Sequence, residues 1–413
     1  MKHINDHLCQ FDEGEDVLFR SMKIKEKQKN YPHLINATIG TLYNEDKSPS
    51  ILKVVKETMQ TLNDNENFLY SSTQGPVGFD TALIRYLFGQ YEQDIRKKKY
   101  IGVIPTPGAT GAINQSLFMT LNEKDTVIIP SICWNVYFNM CQSMNFNYVV
   151  YDYIKDNHFD FEGFKNCVEE ISQKQKHIVT ILNDPCNNPT GYSLTFEEFS
   201  RLIAYLNSRE DLTFTLIYDV AYYEYSIEDS RKKFAMLKEL NSHVMTILAW
   251  SASKAFTMYG LRLGAMVIID SDSKQTLEFT DLSRMIARTK WSCVSSSALY
   301  TVNKILSDEK RKQCFFEELG QFNNMLLKRI RLFEKQANDI GLNMIPYHGG
   351  FFVAVFCQNV LRVVEELEKE DIYVIPNNKV IRIAICGITL QQCDGLAEKI
   401  YQCIERVDHM NKL

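Results

Sequence analysis

An α/β architecture with a wide, mostly parallel sheet and a smaller attached α+β domain is the fold class the sequence predicts. Three observations predict it. Between about residues 100 and 270, seven short apolar runs alternate with longer amphipathic segments, the pattern of βα units. Beyond about Thr301 the texture changes to a long, charged stretch with helical spacing, and short strand-like pieces return near the end. The chain has 413 residues, enough for two domains with a large buried core.

The seven runs are residues 101–104, 126–129, 148–151, 177–182, 214–218, 244–250 and 265–269. Each is short, bounded by polar or turn residues, and apolar enough for a buried strand. The charged stretch runs through Lys335, with Phe315, Phe316, Leu319 and Phe322 spaced for one packed helical face. Strand-like pieces at 351–356 and 380–386 complete the smaller unit. The expected boundaries are 46–300 for the large domain, with 1–45 and 301–413 together forming the small one.

Composition narrows the function. A net charge of -5 gives no electrostatic reason to expect nucleic acid or an anionic membrane as partner, which leaves small molecules. The eleven cysteines are odd in number, scattered from Cys9 to Cys403, and form no C-x-x-C pair, so reduced thiols in a cytosolic protein fit best. The start, Met1-Lys2-His3-Ile4-Asn5-Asp6, turns acidic by Asp12 to Asp16 and carries no apolar segment resembling a secretion signal. No apolar run approaches the roughly 18 residues needed to cross a bilayer. A cytoplasmic location is expected, and no metal.

Polar motifs follow the ends of the apolar runs, where ligands of open α/β sheets bind. Thr106-Pro107-Gly108-Ala109-Thr110 joins the first run to a helix, and its small residues would let backbone amides approach an anion at the positive helix end; a plain turn reads the same way. Asn188-Pro189-Thr190-Gly191 follows the fourth run and is also a good turn sequence. Asp219-Val220-Ala221-Tyr222 follows the fifth, where an unpaired carboxylate is expensive. Asp219 is there either a helix cap, a structural ion pair, or the partner of a ring nitrogen. Ser251-Ala252-Ser253-Lys254 follows the sixth, with Arg262 eight positions after the lysine. Ser251, Ser253 and Arg262 are either ordinary surface residues or the completion of a phosphate cup, and Lys254 would be a surface lysine, a phosphate contact or an imine-forming amine. Trp134, just past the second run, is either core or a flat cover for one face of a ring.

Taken in this order, these motifs resemble the fold-type I enzymes that use pyridoxal 5'-phosphate (PLP), and more closely the class I aminotransferases of the aspartate and aromatic branch. The likeness runs from about Ile39 to Thr389. It implies that Lys254 forms a Schiff base with PLP, that Asp219 faces the pyridine nitrogen, and that Tyr222 and Asn188 bond the phenolic oxygen. It also implies a homodimer in which Tyr70, in Tyr70-Ser71-Ser72-Thr73-Gln74-Gly75, reaches the neighbouring subunit's phosphate, while Gly40 belongs to a loop covering the substrate. Arg382, flanked by Ile381 and Ile383, resembles the clamp for the α-carboxylate, and a strand arginine among apolar residues needs an acidic partner in any case. Arg288 resembles the position that binds a dicarboxylate's distal acid across the dimer interface, although Cys293-Val294-Ser295 departs from the family's proline-containing turn.

The expected reaction is ping-pong transfer of an amino group from an amino acid to a 2-oxo acid, with the Lys254 amine moving a proton between Cα and C4′. A PLP-dependent lyase or decarboxylase on the same scaffold is the nearest rival. A non-catalytic PLP-binding regulator would normally carry a DNA-binding domain, and the first 45 residues show no basic helix-turn-helix pattern.

Overall fold

The structure is a computed structural model describing His3, Asn5, His7, Leu8 and residues 17–410. Cys9 and the acidic segment from Asp12 to Asp16 lie outside the described residues. All seven apolar runs are strands of one sheet: β1 Tyr100–Thr106, β2 Thr126–Pro130, β3 Asn147–Tyr151, β4 His177–Asn183, β5 Thr213–Asp219, β6 Val244–Ser251 and β7 Gly264–Asp270. Their order across the sheet is β1-β7-β6-β5-β4-β2-β3. Six strands run parallel, and β7 is antiparallel to both β1 and β6. Strands β6 and β7 are buried along their whole length, which is why they read as continuous apolar runs rather than alternating ones.

Register places the chemistry. Asn183 pairs with Asp219 and Asp219 with Ala249, so the ends of β4, β5 and β6 lie side by side at one edge. Because β7 runs the other way, its first residue, Gly264, arrives at the same edge, opposite Thr106 on one side and Ser251 on the other. A Cβ there would lie 2.4 Å from both the Gly108 carbonyl carbon and the Trp250 oxygen, so only glycine fits. Helix α1, Gly108–Thr120, starts here directly after β1. Helix α2, Val136–Ser143, follows the loop that carries Trp134.

Helix α3, Ser273–Lys290, packs on the sheet beside β1, and the charged stretch beyond it is two helices rather than one. Ser296–Ser307 ends at Asp308, whose carboxylate accepts the Arg311 amide at 2.8 Å and starts helix α4, Glu309–Ile340. Phe315 and Leu319 are core, whereas Phe316 is exposed at one edge and stacks on Tyr86. A second, three-stranded sheet is formed by β8 Val353–Phe356, β9 Ile375–Asn377 and β10 Val380–Ile383, in the order β8-β10-β9. The piece expected to continue as strand to Cys386 turns into a short 3-10 helix after Ile383. Ile35 and Asn36 pair with Ile372 and Tyr373 in a separate two-stranded sheet, tying the N-terminal segment to the chain just before β9. Among the described residues ten cysteines are free and eight of them are buried. Among the described residues no helix is long and apolar enough to cross a membrane.

Candidate active site

Lys254 lies one residue before the end of a single helical turn after β6, and its Nζ donates to the Gly40 carbonyl at 2.9 Å. The ring centroids of Tyr259, Tyr222 and Phe351 surround the ammonium at 5.0, 5.3 and 5.7 Å. Burial pushes its pKa down to about 8, the nearby Arg262 and Arg382 charges push the same way, and Cys386 and Asp219 oppose them. A lysine poised there is roughly one-tenth neutral at pH 7, far more than an ordinary lysine, and the neutral form is the one that acts as nucleophile or base.

Asp219 ends β5 and is buried. The Tyr137 hydroxyl donates to its Oδ2 at 2.5 Å and the Ala221 amide to its Oδ1 at 3.1 Å. Burial raises its pKa to about 6, with those two donors and the charge of Lys254 pulling it back. Asp219 and Lys254 therefore feel one another's charge. Trp134 is partly buried and stands edge-on to Tyr137, 5.5 Å between centroids, so the indole reaches the carboxylate through that tyrosine. Tyr137 was not found from sequence. The available signal was its position one helical turn past Trp134.

Asn183, also missed, holds two motifs together: its Nδ2 donates to the Asp219 carbonyl at 2.9 Å and its Oδ1 accepts the Asn188 amide at 2.7 Å. Asn188 in turn accepts from Arg382 Nη1 at 3.2 Å. Tyr222 is buried between Phe351 and Phe352, and the charges of Arg382 and Asp219 both act on it.

Arg382 sits on β10 with only 8 % of its surface exposed. Its Nη2 donates to the Thr38 carbonyl, its Nη1 to Asn188, and its guanidinium lies 4.6 Å from the Phe352 ring centroid. Its Nε has no partner, and no carboxylate among the described residues bridges it. The acidic partner expected from sequence is thus absent from the described chain. Burial alone lowers the guanidinium to about 10, against its tyrosine and thiol neighbours. A buried charge left this way is expensive, and an anionic ligand would relieve it.

The third group of residues makes a cup. Gly108 has φ +71° and a Cβ on it would lie 2.6 Å from Arg262 Nη2. Ala109 is buried and Thr110 partly exposed at the start of α1. Arg262 donates through Nη1 to Ser253 Oγ at 3.1 Å and to the Tyr259 carbonyl at 2.8 Å, and Ser251 Oγ caps the Ser253 amide at 3.1 Å. Amides, hydroxyls and a guanidinium converge, with no acid opposing them in these contacts. An amine, a buried carboxyl and an anion cup are the donor set that PLP requires, and the residues present fit it.

Tyr70 and Arg288 stand apart. Tyr70 is 87 % exposed, and the adjacent Ser71 donates to the Val294 carbonyl at 3.2 Å. Arg288, exposed near the end of α3, donates to Ser292 Oγ, and Ser292 adopts a left-handed φ of +67°. Both belong to one surface region, and among the described residues neither bonds to Lys254, Asp219 or Arg382.

Comparison with known proteins decides the family. Residues 32–400 match the model of aminotransferase class I and II. The chain belongs to this family. A solved aminotransferase from Anaerococcus prevotii is 31 % identical, covering 98 % of this chain and 100 % of its own, with a TM-score of 0.92. The aspartate aminotransferase of Escherichia coli is 27 % identical over 386 residues, 89 % of this chain and 93 % of the relative. An aromatic-amino-acid aminotransferase from Burkholderia pseudomallei, solved covalently bound to pyridoxal phosphate, shares the fold at 20 % identity and a TM-score of 0.78, covering 97 % of this chain and 100 % of that one. The aminotransferase described here is therefore an enzyme that transfers amino groups.

Proposed function

We propose that this aminotransferase moves an amino group from an acidic or aromatic L-amino acid to a 2-oxo acid, in two ping-pong half-reactions, as a cytoplasmic homodimer using PLP. The observation that carries the reading is Arg382: a buried guanidinium without a carboxylate partner, electrostatically coupled to a buried amine with a lowered pKa. Such a pair asks for a ligand bearing both a carboxylate and an electrophilic or amine-bearing centre, which amino and 2-oxo acids supply through the cofactor. The relatives named as aspartate and aromatic-amino-acid aminotransferases support the two donor classes. The lyase, decarboxylase and non-catalytic alternatives gain no such support.

When bound, PLP supplies the aldehyde that captures the amino group and the ring that takes up the electron pair left at Cα. Lys254 Nζ would accept the proton from substrate Cα and return it at C4′, a transfer its lowered pKa favours. Asp219 would face the ring nitrogen and, ionised above about pH 6, hold a proton there. Tyr222 and Asn188 would bond the phenolic oxygen. Trp134 would cover one ring face and exclude water. The amides of Gly108, Ala109 and Thr110, with Ser251, Ser253 and Arg262, would hold the phosphate. Arg382 would fix the substrate α-carboxylate, and the segment at Gly40 would close over it.

Tyr70 and Arg288 are assigned to the neighbouring subunit's site, Tyr70 toward its phosphate and Arg288 toward the distal acid of a dicarboxylate. Their shared exposed surface supports that assignment. Residues 46–300 are proposed as the cofactor-binding domain, and 1–45 with 301–413 as the small domain, supported by the pairing of Ile35 with Ile372. Borohydride reduction of the loaded enzyme followed by peptide mapping tests the central assignment. The expected label is on Lys254, and a label on any other residue overturns it.

A further inference from the structure

The hairpin that carries the proposed carboxylate clamp also grips the loop that carries the proposed ring cover. In the small sheet Ile375 pairs with Arg382 and Asn377 with Val380. Directly opposed residues point to the same face and alternate residues of one strand share a face, so Asn377 and Arg382 project from one face as diagonal neighbours. Asn377 is buried. Its Nδ2 donates to the Cys133 carbonyl at 2.8 Å and to Asn135 Oδ1 at 3.0 Å. These two acceptors flank Trp134 on either side. The next residue, Asn378, adds a bond to the Ser131 carbonyl at 3.3 Å, and Lys379 meets Asp152 at 3.0 Å on the exposed rim.

Asn377 at the end of β9 and Asn378 just after it therefore hold the loop between β2 and α2, while Lys379 reaches the residue that follows β3. The exposed Lys379 pair contributes little, which leaves the Asn377 amide as the principal tie. Its Oδ1 is buried with no donor. A half-satisfied buried amide is a poor device for stability alone, since the unpaired oxygen offsets what the two donated bonds supply.

We propose that Asn377 is a positioning residue that links Arg382 to Trp134, so that seating a carboxylate on β10 and placing the indole against the ring are one coupled event. This rests on the roles assigned above to Arg382 and Trp134. The Asn135 amide oxygen and the Cys133 carbonyl are both acceptors, so an aspartate at 377 repels them when ionised and recovers a donor when protonated.

The test compares wild type, Asn377→Ala, Asn377→Asp, Trp134→Phe, Arg382→Ala and the Asn377→Ala/Trp134→Phe double variant as PLP-loaded enzymes, with L-aspartate and L-phenylalanine as donors. Asn377→Ala is expected to raise donor KM about tenfold while changing kcat about twofold or less, as for lost ground-state positioning. The double variant should be no worse than the more affected single variant, because residues acting through one contact are non-additive. In Asn377→Asp the deficit relative to wild type should shrink as pH falls. Independently of turnover, hydrogen exchange should rise in residues 131–138 and not in β5 or β6. Additive kinetics with unchanged exchange overturn the inference, as does a fall in melting temperature with KM and kcat unaltered. If Arg382→Ala leaves KM unchanged, the assignment of the clamp fails instead, and that result is separable from any result at position 377.

Discussion

Two buried cations are treated in opposite ways by this fold. Lys233 is 3 % exposed and meets both oxygens of the fully buried Asp184, at 3.1 and 3.2 Å. Tyr218 and the Leu194 amide complete that carboxylate at 2.6 and 2.7 Å, so nothing is left to bind. Arg382 is nearly as buried, yet it has carbonyl and amide oxygens for partners, an idle Nε and no carboxylate. A closed ion pair is a matter of stability or of a unique packing, whereas an open one is a demand for a ligand. Burial alone therefore does not separate structural charge from functional charge. The balance of partners does.

Lys254 tests the open side of this comparison most severely. Lys254→Ala should reduce amino transfer by about 10,000-fold or more, because it removes both the covalent anchor and the proton carrier, read as kcat with any donor. Arg382→Ala should lower kcat/KM on the order of 100- to 1,000-fold, in the range seen for losing one partner of a buried charge pair, with melting temperature unchanged or raised. Lys233→Ala should do the reverse, destabilising the fold by about 3–5 kcal/mol while KM stays near wild type, read by denaturant unfolding and steady-state kinetics. If Arg382→Ala unfolds the protein and Lys233→Ala raises KM, the comparison is inverted.

Glu224 offers a third case, a buried acid with no cation in hydrogen-bonding contact. Tyr86 donates to its Oε1 at 2.5 Å and Oε2 is unpaired, and burial raises its pKa to about 7. Its folded-state pKa exceeds the ordinary unfolded value, so the folded protein holds the extra proton. Its contribution is complete below about pH 4.5 and is lost as pH rises toward 7. Glu224→Gln should abolish that segment of the stability–pH curve, worth on the order of 3 kcal/mol, as followed by chemical unfolding from pH 4 to 8. The smallest effect belongs to Arg288. Arg288→Ala should weaken acidic donors about tenfold while sparing aromatic ones, and equal loss for both classes would remove it from the specificity argument.

Much of this was legible in the chain, for identifiable reasons. Buried strands need uninterrupted apolar runs, so six of the seven announced themselves that way, while the edge strand β3 is apolar but largely exposed; the ligand edge followed from the polar residues placed just after the runs. Asp219 and Arg382 stood out as charged groups beside apolar residues, whereas Lys254, Asn188 and Arg262 stood out only through the order of their motifs along the chain. What stayed hidden was supplied by backbone or by packing. The carbonyls of Gly40 and Thr38 that receive Lys254 and Arg382 have no side-chain signature. Tyr137 and Asn183 read as one more aromatic and one more strand-end amide until tertiary contact gives them a role. The helix break at Asp308 was hidden because helix flanks it directly on both sides, and a capping bond is a local feature that leaves the periodicity of its neighbours unchanged.

The reversed strand β7 has a consequence for biosynthesis. The proposed phosphate cup takes its first wall from the turn after β1 and its second from the turn after β6, and Gly264 at the head of β7 is the spacer that brings them into register. Until the ribosome has released the chain through residue 270, those walls have no common neighbour. With the phosphate site proposed here, cofactor capture by a nascent chain would wait for the seventh strand to be threaded between two strands already made.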